Sequence, residues 1–99
     1  MADYIVTNKA VEDLSKIWEY SYKVWSEAKA DKYYHMLFAS FQELAEGKIA
    51  GKKYPEVRID ILGFRSGQHI IFYRKLKENR IEITRVLHNR MDLKNRVQE

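Results

Sequence analysis

The apolar residues in the first half of the chain recur at the spacing of α-helices. From residue 9 to residue 25 no glycine or proline interrupts this spacing, and Thr7 or Asn8 can cap the free N–H groups at its start. Ser26 can cap a second helix, which is expected to end at Gly47 in a left-handed C-cap. Two helices joined by so short a connection predict an antiparallel helical hairpin. The two apolar stripes consist of Val11, Leu14, Ile17, Trp18 and Trp25, and of Ala30, Tyr34, Leu37, Phe41, Leu44 and Ala45.

The periodicity changes after residues 47–56, a predicted loop with two glycines, the only proline and three lysines. Apolar and polar residues alternate in 57–61 and in 80–87, and 68–76 is a dense run of Ile, Phe and Tyr. These segments are predicted to be three strands, and the short turns between them favour antiparallel hairpins. With residues 4–6 as a first short strand, the element order is β-α-α-β-β-β.

This order indicates an α+β fold in which the helical hairpin packs on a mainly antiparallel four-stranded sheet. The other face of the sheet is expected to stay open to solvent or to a partner. A length of 99 residues favours a single domain. Within it, residues 1–47 form the first strand and the hairpin, 57–87 form the three antiparallel strands, and 88–99 form a basic C-terminal tail.

The residue types that carry common catalytic and metal chemistry are sparse. Because the chain has no cysteine, disulfides, thiolate zinc sites and cysteine nucleophiles are excluded. His35, His69 and His88 are too widely spaced to form an i, i+4 ligand pair on one helix, so we expect no metal site and no cofactor. The sequence also lacks a phosphate-binding glycine loop and a Gly-x-Ser-x-Gly elbow. By themselves the residues indicate a basic α+β binding domain.

Charge is divided unevenly along the chain. Residues 1–47 carry five Lys/Arg against eight Asp/Glu, a net charge of −3, whereas residues 48–99 carry thirteen against six, a net charge of +7. A basic half favours an acidic partner, either an acidic protein segment or a nucleic-acid backbone, and a merely solubilising charge bias is the alternative. No signal sequence or membrane-length apolar run is evident, so a cytoplasmic location is expected.

Two arginines stand among apolar strand positions. Arg85 interrupts the alternation of Ile81 and Leu87, and Arg74 shares its predicted face with Phe72. A guanidinium on such a face needs a partner, so we expect an internal carboxylate or helix C-terminal carbonyls to bind each one, with direct target contact as the alternative. Arg65, in contrast, lies beside a predicted hairpin tip and is expected to be exposed.

The helical hairpin has more large apolar side chains than one buried seam needs. Tyr20 and Met36 lie well away from the centres of their stripes on an ideal helix. Tyr22, Trp25, Tyr33 and Phe38 flank those stripes. A second apolar contact, with a partner, would account for this surplus, and half-exposed tyrosines without a partner are the alternative.

Two sequence blocks carry a family resemblance. They are His-Ile-Ile-Phe-Tyr-Arg at 69–74 and Arg-Val-Leu-His-Asn-Arg-Met-Asp at 85–92, and the first half adds Ile-Trp-Glu-Tyr at 17–20 and Trp-Ser at 25–26. In this order and at this spacing the chain resembles the ParE branch of the RelE/ParE toxin superfamily. The resemblance extends over nearly all of the sequence and implies the RelE/ParE-like β-α-α-β-β-β fold.

The resemblance also implies a function. ParE-like proteins are toxins of type II toxin–antitoxin pairs: non-enzymatic inhibitors of DNA gyrase that a ParD-like antitoxin neutralises in a hetero-oligomeric complex. Such an antitoxin is a ribbon-helix-helix DNA-binding protein whose acidic C-terminal tail folds as it binds. The residues expected to bind the antitoxin are Tyr20, Tyr22, Trp25, Tyr33, Met36, Phe38, Arg58 and Arg65. The residues expected to bind the target are His88, Arg90, Lys94 and Arg96.

Two other functions remain open at the level of sequence. RelE-type relatives cleave messenger RNA on the ribosome, and His88, Arg85 and Arg74 would be the catalytic residues of such an enzyme. Against this, residues 94–99 are polar and lack the C-terminal aromatic residue of some nucleases with this fold. The other possibility is a degenerate, non-toxic antitoxin-binding module. The basic segment 88–96 is likewise either a target contact or a dispensable tail.

Overall fold

A computed structural model of the protein describes residues 2–77 and 79–90. The helices are α1 (Asn8–Val24) and α2 (Glu27–Glu46). The strands are β1 (Asp3–Val6), β2 (Lys52–Lys53), β3 (Leu62–Ser66), β4 (His69–Lys77) and β5 (Arg80–His88). They form one mixed sheet in the order β1-β5-β4-β3-β2, in which only the β1–β5 pair is parallel. The predicted α+β class, with a helical hairpin on a mainly antiparallel sheet, is confirmed.

The helix boundaries follow the capping residues of the sequence. The Thr7 hydroxyl accepts a hydrogen bond from the Ala10 N–H at the start of α1, and Ser26 caps α2 through the Lys29 N–H. Gly47 ends α2 with a positive φ of 77°, the left-handed conformation that glycine adopts without steric cost. Neither of these helices is long and apolar enough to cross a membrane.

The core lies between the helical hairpin and one face of the sheet. Leu14 of α1 and Phe41 of α2 pack on Ile71 and Ile83 of the central strands, and all four are buried. Tyr4 of β1 meets Phe41 edge-on, with ring centroids 5.5 Å apart. These contacts hold α1 beside β5, and the candidate site lies along that boundary.

The segment 57–61, predicted as a strand, forms turns instead, and the sheet has five strands rather than four. Val57 and Ile61 are buried beside Phe72 on the second face of the sheet, whereas Ile59 is 91% exposed. The apolar alternation therefore arises from a loop that packs on the sheet, and not from a strand within it. This loop also covers part of the face that the sequence predicted to be open.

Candidate functional site

A groove of about 630 Å³ runs between α1 and the end of the sheet where β5 finishes. The tip of the helical hairpin and the start of β4 close its other sides. Its wall combines aromatic rings, two cationic side chains and two histidines. The residues that line it are Asp13, Lys16, Ile17, Tyr20, Ser21, Trp25, Tyr33, Gln68, His69, Val86, Leu87, His88 and Arg90.

Asp13 lines the groove and forms a buried ion pair with Arg85 of β5. The Arg85 Nε and Nη2 atoms donate to the two carboxylate oxygens of Asp13, at 2.8 and 3.0 Å, and the Val86 backbone N–H donates to the same carboxylate at 3.0 Å. Both side chains are nearly inaccessible to solvent. The expected internal carboxylate partner of Arg85 is therefore Asp13 of α1, and the pair ties α1 to β5.

A register shift in β5 lies directly before Arg85. The pairing with β4 skips Thr84, so that Arg85 lies opposite Phe72 and Ile83 opposite Tyr73. The Thr84 hydroxyl donates a hydrogen bond to the Phe72 carbonyl, and the Thr84 backbone carbonyl accepts one from the Thr7 hydroxyl. Two hydrogen bonds thus stabilise the bulge, and it interrupts the alternation that the sequence predicted.

Tyr33 forms the side wall of the groove and joins α2 to the β3–β4 turn. Its hydroxyl is 2.6 Å from His69 Nδ1 and accepts from the Gln68 backbone N–H at 3.0 Å. Gly67 makes this approach possible, since its φ is 61° and an added Cβ would lie 2.7 Å from the Tyr33 oxygen. Partial burial raises the pKa of Tyr33, so the hydroxyl stays protonated and can donate to His69.

His69 and His88 face each other across β4 and β5. They are directly paired in the sheet, and their rings meet edge-on with centroids 5.4 Å apart. Burial and, to a smaller extent, the neighbouring His88 lower the pKa of His69 to about 4, while Asp13 opposes this shift. His69 is therefore neutral near pH 7. His88 Nδ1 accepts a hydrogen bond from the Arg90 backbone N–H at 3.1 Å.

The structure divides the residues predicted to bind an antitoxin. Tyr20, Trp25 and Tyr33 line the groove, and Trp25 meets Tyr33 edge-on. Met36 lies beside Gly67 at the same end of the hairpin. Tyr22 stacks on Trp18 away from the groove.

The other three members of that predicted set lie apart. Phe38 packs on Phe41 at the edge of the core, so it is not one of the exposed apolar side chains of the hairpin. Arg58 pairs with Asp60 in the β2–β3 loop, and Arg65 is exposed, donating to the Gly67 carbonyl. None of the three lines the groove.

Among the residues predicted to bind the target, His88 and Arg90 line the groove, whereas Lys94 and Arg96 lie outside the described residues. The groove thus brings together some of the residues predicted to bind an antitoxin and some of those predicted to bind the target. Within residues 2–77 and 79–90, no group of three metal-ligating side chains is placed to hold a metal ion.

The three residues of the nuclease alternative do not come together as one site. Arg74 donates to Glu82 at 2.8 Å and does not line the groove, and Arg85 is held by Asp13. Of the three, only His88 faces the groove. The internal partner expected for Arg74 is therefore Glu82 on the neighbouring strand.

Asp13, Lys16 and Ile17 line the groove but were not predicted from the sequence as site residues. Together with Tyr20 they follow the i, i+3, i+4, i+7 spacing of one helix face. That spacing is the signal in the sequence, but Asp13 and Lys16 are charged, so these four positions do not form an apolar stripe. His69 was considered only as a possible metal ligand, and its pairing with His88 depends on a strand register that no local pattern reveals.

Comparisons with known proteins converge on one family. A family model described as "ParE toxin of type II toxin-antitoxin system, parDE" matches residues 4–93. Toxin ParE1 of Caulobacter vibrioides is 35% identical over 92 residues, covering 93% of this chain and 94% of that protein. Toxin ParE1 of Mycobacterium tuberculosis is 31% identical over 90 residues, covering 91% and 92%. A solved structure described as a chromosomal ParDE TA system from P. aeruginosa matches with a TM-score of 0.70 at 20% sequence identity. The match covers 89% of this chain and 96% of that chain, and it supports the fold.

Proposed function

The chain belongs to the family of ParE toxins of type II toxin–antitoxin systems, and from this premise we propose that it inhibits DNA gyrase and is neutralised by a ParD-like antitoxin that binds in the groove between α1 and β5. The observation that carries the proposal is the composition of that groove. Aromatic residues of the helical hairpin and the basic end of β5 line the same cavity.

The groove suits an acidic segment that folds on binding. Tyr20 and Trp25 are 64% and 50% exposed, which is unusual for large aromatic side chains on a small monomeric domain. Lys16 and Arg90 add positive charge to the same wall. An acidic, disordered antitoxin tail would bury the rings and neutralise the cations at once.

Neutralisation then follows from occlusion. His88 and Arg90 were expected to contact the target, and they line the cavity that the hairpin aromatics line. An antitoxin segment in the groove would cover both sets, so the target could not reach the end of β5. Lys94 and Arg96, beyond the described residues, complete the proposed target contact.

The arginine contacts favour inhibition by binding over RNA cleavage. A ribosome-dependent nuclease would use the free guanidinium groups of Arg74 and Arg85 on the RNA phosphate, but each guanidinium is bound to a carboxylate of this chain. We therefore propose a non-enzymatic toxin that acts in the cytoplasm, where gyrase and DNA are found.

A supercoiling assay tests the target. Adding the purified toxin to gyrase and relaxed plasmid is expected to block supercoiling and to leave cleaved DNA. Arg90→Ala is expected to weaken this effect at least about tenfold, as for truncation of a central interface cation. The matched control is Lys23→Ala, since Lys23 is an exposed lysine of α1 that pairs with Glu19 outside the groove.

The same preparations distinguish the alternatives. If supercoiling proceeds while messenger RNA is cleaved in a cell-free translation extract, and His88→Ala stops the cleavage, the chain is a RelE-type nuclease. A folded chain that affects neither process yet binds the antitoxin is a non-toxic binding module.

Antitoxin binding is tested with the product of the reading frame next to the toxin, where that frame encodes a short acidic protein. Trp25→Ala is expected to weaken the complex by tenfold or more, because exposed aromatic residues often dominate interfaces. Ile59→Ala is the control, since Ile59 is also an exposed apolar residue but lies in the β2–β3 loop on the other face of the sheet. Equal losses for both variants would contradict a site in the groove.

A further inference from the structure

The groove has the dimensions and lining of a small-ligand site. Its volume of about 630 Å³ lies within the range of roughly 300 to 1,000 Å³ that is typical of ligand pockets. Ile17, Tyr20 and Trp25 form an apolar and aromatic wall. Such a wall suits a flat ring, because stacking on exposed aromatic side chains contributes affinity without requiring a particular pattern of hydrogen bonds.

The available charge in this groove is positive. The three charged side chains in its lining are Asp13, Lys16 and Arg90. Asp13 already accepts three hydrogen bonds, two of them from Arg85. Lys16 and Arg90 form no ion pair within residues 2–77 and 79–90. An anionic ligand group would therefore find two cations whose charge the described part of the chain does not neutralise.

The histidines add hydrogen-bond donors beside those cations. His69 Nδ1 is engaged by the Tyr33 hydroxyl, and His88 Nδ1 accepts from the Arg90 N–H. In the tautomer that these contacts favour, each neutral ring carries its proton on Nε2. These two N–H groups are the donors that remain for a ligand in the groove.

We propose that the groove binds a nucleoside phosphate, with the base against Tyr20 and Trp25 and the phosphate between Lys16 and Arg90. A nucleoside phosphate joins an aromatic ring to an anion, so it matches both the aromatic part and the cationic part of the lining. The ligand is either a free nucleotide or the phosphorylated end of a DNA or RNA strand. The inference rests on the groove alone and does not depend on the proposed function.

Calorimetric titration of the toxin, without antitoxin or gyrase, tests this proposal. The probes are AMP, dTMP, a 5′-phosphorylated single-stranded hexanucleotide, inorganic phosphate and adenosine. AMP and dTMP are expected to bind with a Kd on the order of 1 mM or tighter, and at least tenfold tighter than either phosphate or adenosine. Binding should weaken as salt concentration rises, because a phosphate contact displaces counterions.

Three variants identify the residues. Lys16→Ala and Trp25→Ala are each expected to weaken AMP binding by about tenfold, one through the phosphate and the other through the base. Lys23→Ala is the control for the same charge change on an exposed part of α1 outside the groove. Circular dichroism verifies that each variant is folded, and equal losses for Lys16→Ala and Lys23→Ala would overturn the assignment.

The remaining outcomes either support or overturn the proposal. Binding of the hexanucleotide but not of mononucleotides supports it, with a strand end as the ligand. No binding of any nucleotide probe at millimolar concentration overturns it, as does adenosine or inorganic phosphate binding as tightly as AMP. Gyrase inhibition and antitoxin binding are measured separately, so failure here leaves the proposed function standing.

Discussion

The two ends of the sheet hold their charged side chains in different ways. At the groove end, Arg85 and Asp13 form a bidentate pair in which the side chains are only 11% and 9% exposed. At the opposite end, where β4 turns into β5, Arg74 pairs with Glu82 and Arg80 with Asp3, and both arginines remain more than 40% exposed. The atoms are similarly close, so burial rather than distance distinguishes the two ends.

The difference shows where electrostatics stabilise this fold. An exposed pair exchanges hydration for a contact of similar free energy, so its net contribution is small. A buried pair has already lost its hydration, and removing one partner leaves a charge that nothing compensates. We therefore expect the groove end to depend on its polar contacts and the opposite end to tolerate their loss.

The largest expected effect is that of Arg85→Ala. Among the described residues, this substitution leaves the buried Asp13 carboxylate with the Val86 N–H as its one remaining partner, and we expect it to lower the free energy of unfolding by about 3 to 5 kcal/mol. Urea denaturation measures the change. The double variant Asp13→Leu/Arg85→Met, which removes both charges, should recover much of this loss, and a double variant as unstable as the single one would contradict the argument.

The second largest expected effect on stability is that of Tyr33→Phe. The variant keeps the ring contact with Trp25 but removes the hydroxyl that meets His69 and the Gln68 N–H. Because one lost hydroxyl leaves two groups without their partner, we expect a loss of about 1 to 3 kcal/mol in urea denaturation. Tyr22→Phe is the control, as its ring stacks on Trp18 and no hydrogen bond of its hydroxyl is found among the described residues. Similar losses for both would mean that the Tyr33 hydroxyl contributes little.

The third prediction concerns pH. The unfolded chain protonates His69 near its ordinary pKa of 6.5, whereas the folded chain does so only near 4. Between these values the unfolded state binds a proton that the folded state does not. The contribution of His69 to the free energy of unfolding is therefore fully present above pH 6.5 and falls as the pH is lowered towards 4. Thermal melts of the protein and of His69→Asn over this range measure the contribution. If both lose stability with the same slope, the neutral state of His69 is not the cause.

The smallest expected effect is that of Arg74→Ala at the exposed end of the sheet. Solvent screens the Arg74–Glu82 pair, so we expect the denaturation midpoint to stay within experimental error of the parent. Raising the salt concentration should shift the denaturation midpoint of this variant and of the parent by the same amount. A destabilisation comparable to that of Arg85→Ala would remove the distinction between the two ends.

The sequence by itself determined the helical hairpin and the fold class. Both helices are local structures, specified by residue spacing and by the caps Thr7, Ser26 and Gly47, so their limits could be predicted to within a residue or two. The need of Arg85 for a partner was equally visible, because a guanidinium in an apolar strand cannot remain unpaired. The two blocks at 69–74 and 85–92 were sufficient to indicate the family.

Only the tertiary structure decided which residues form the site. Asp13 and Arg85 are 72 positions apart, and their contact depends on the way α1 lies beside β5. The apolar alternation at 57–61 is the same whether the segment joins a sheet or packs on one, so its loop conformation could not be read from the pattern. Local spacing specifies local hydrogen bonds. The groove is formed by contacts between distant segments, and these depend on how the whole chain packs.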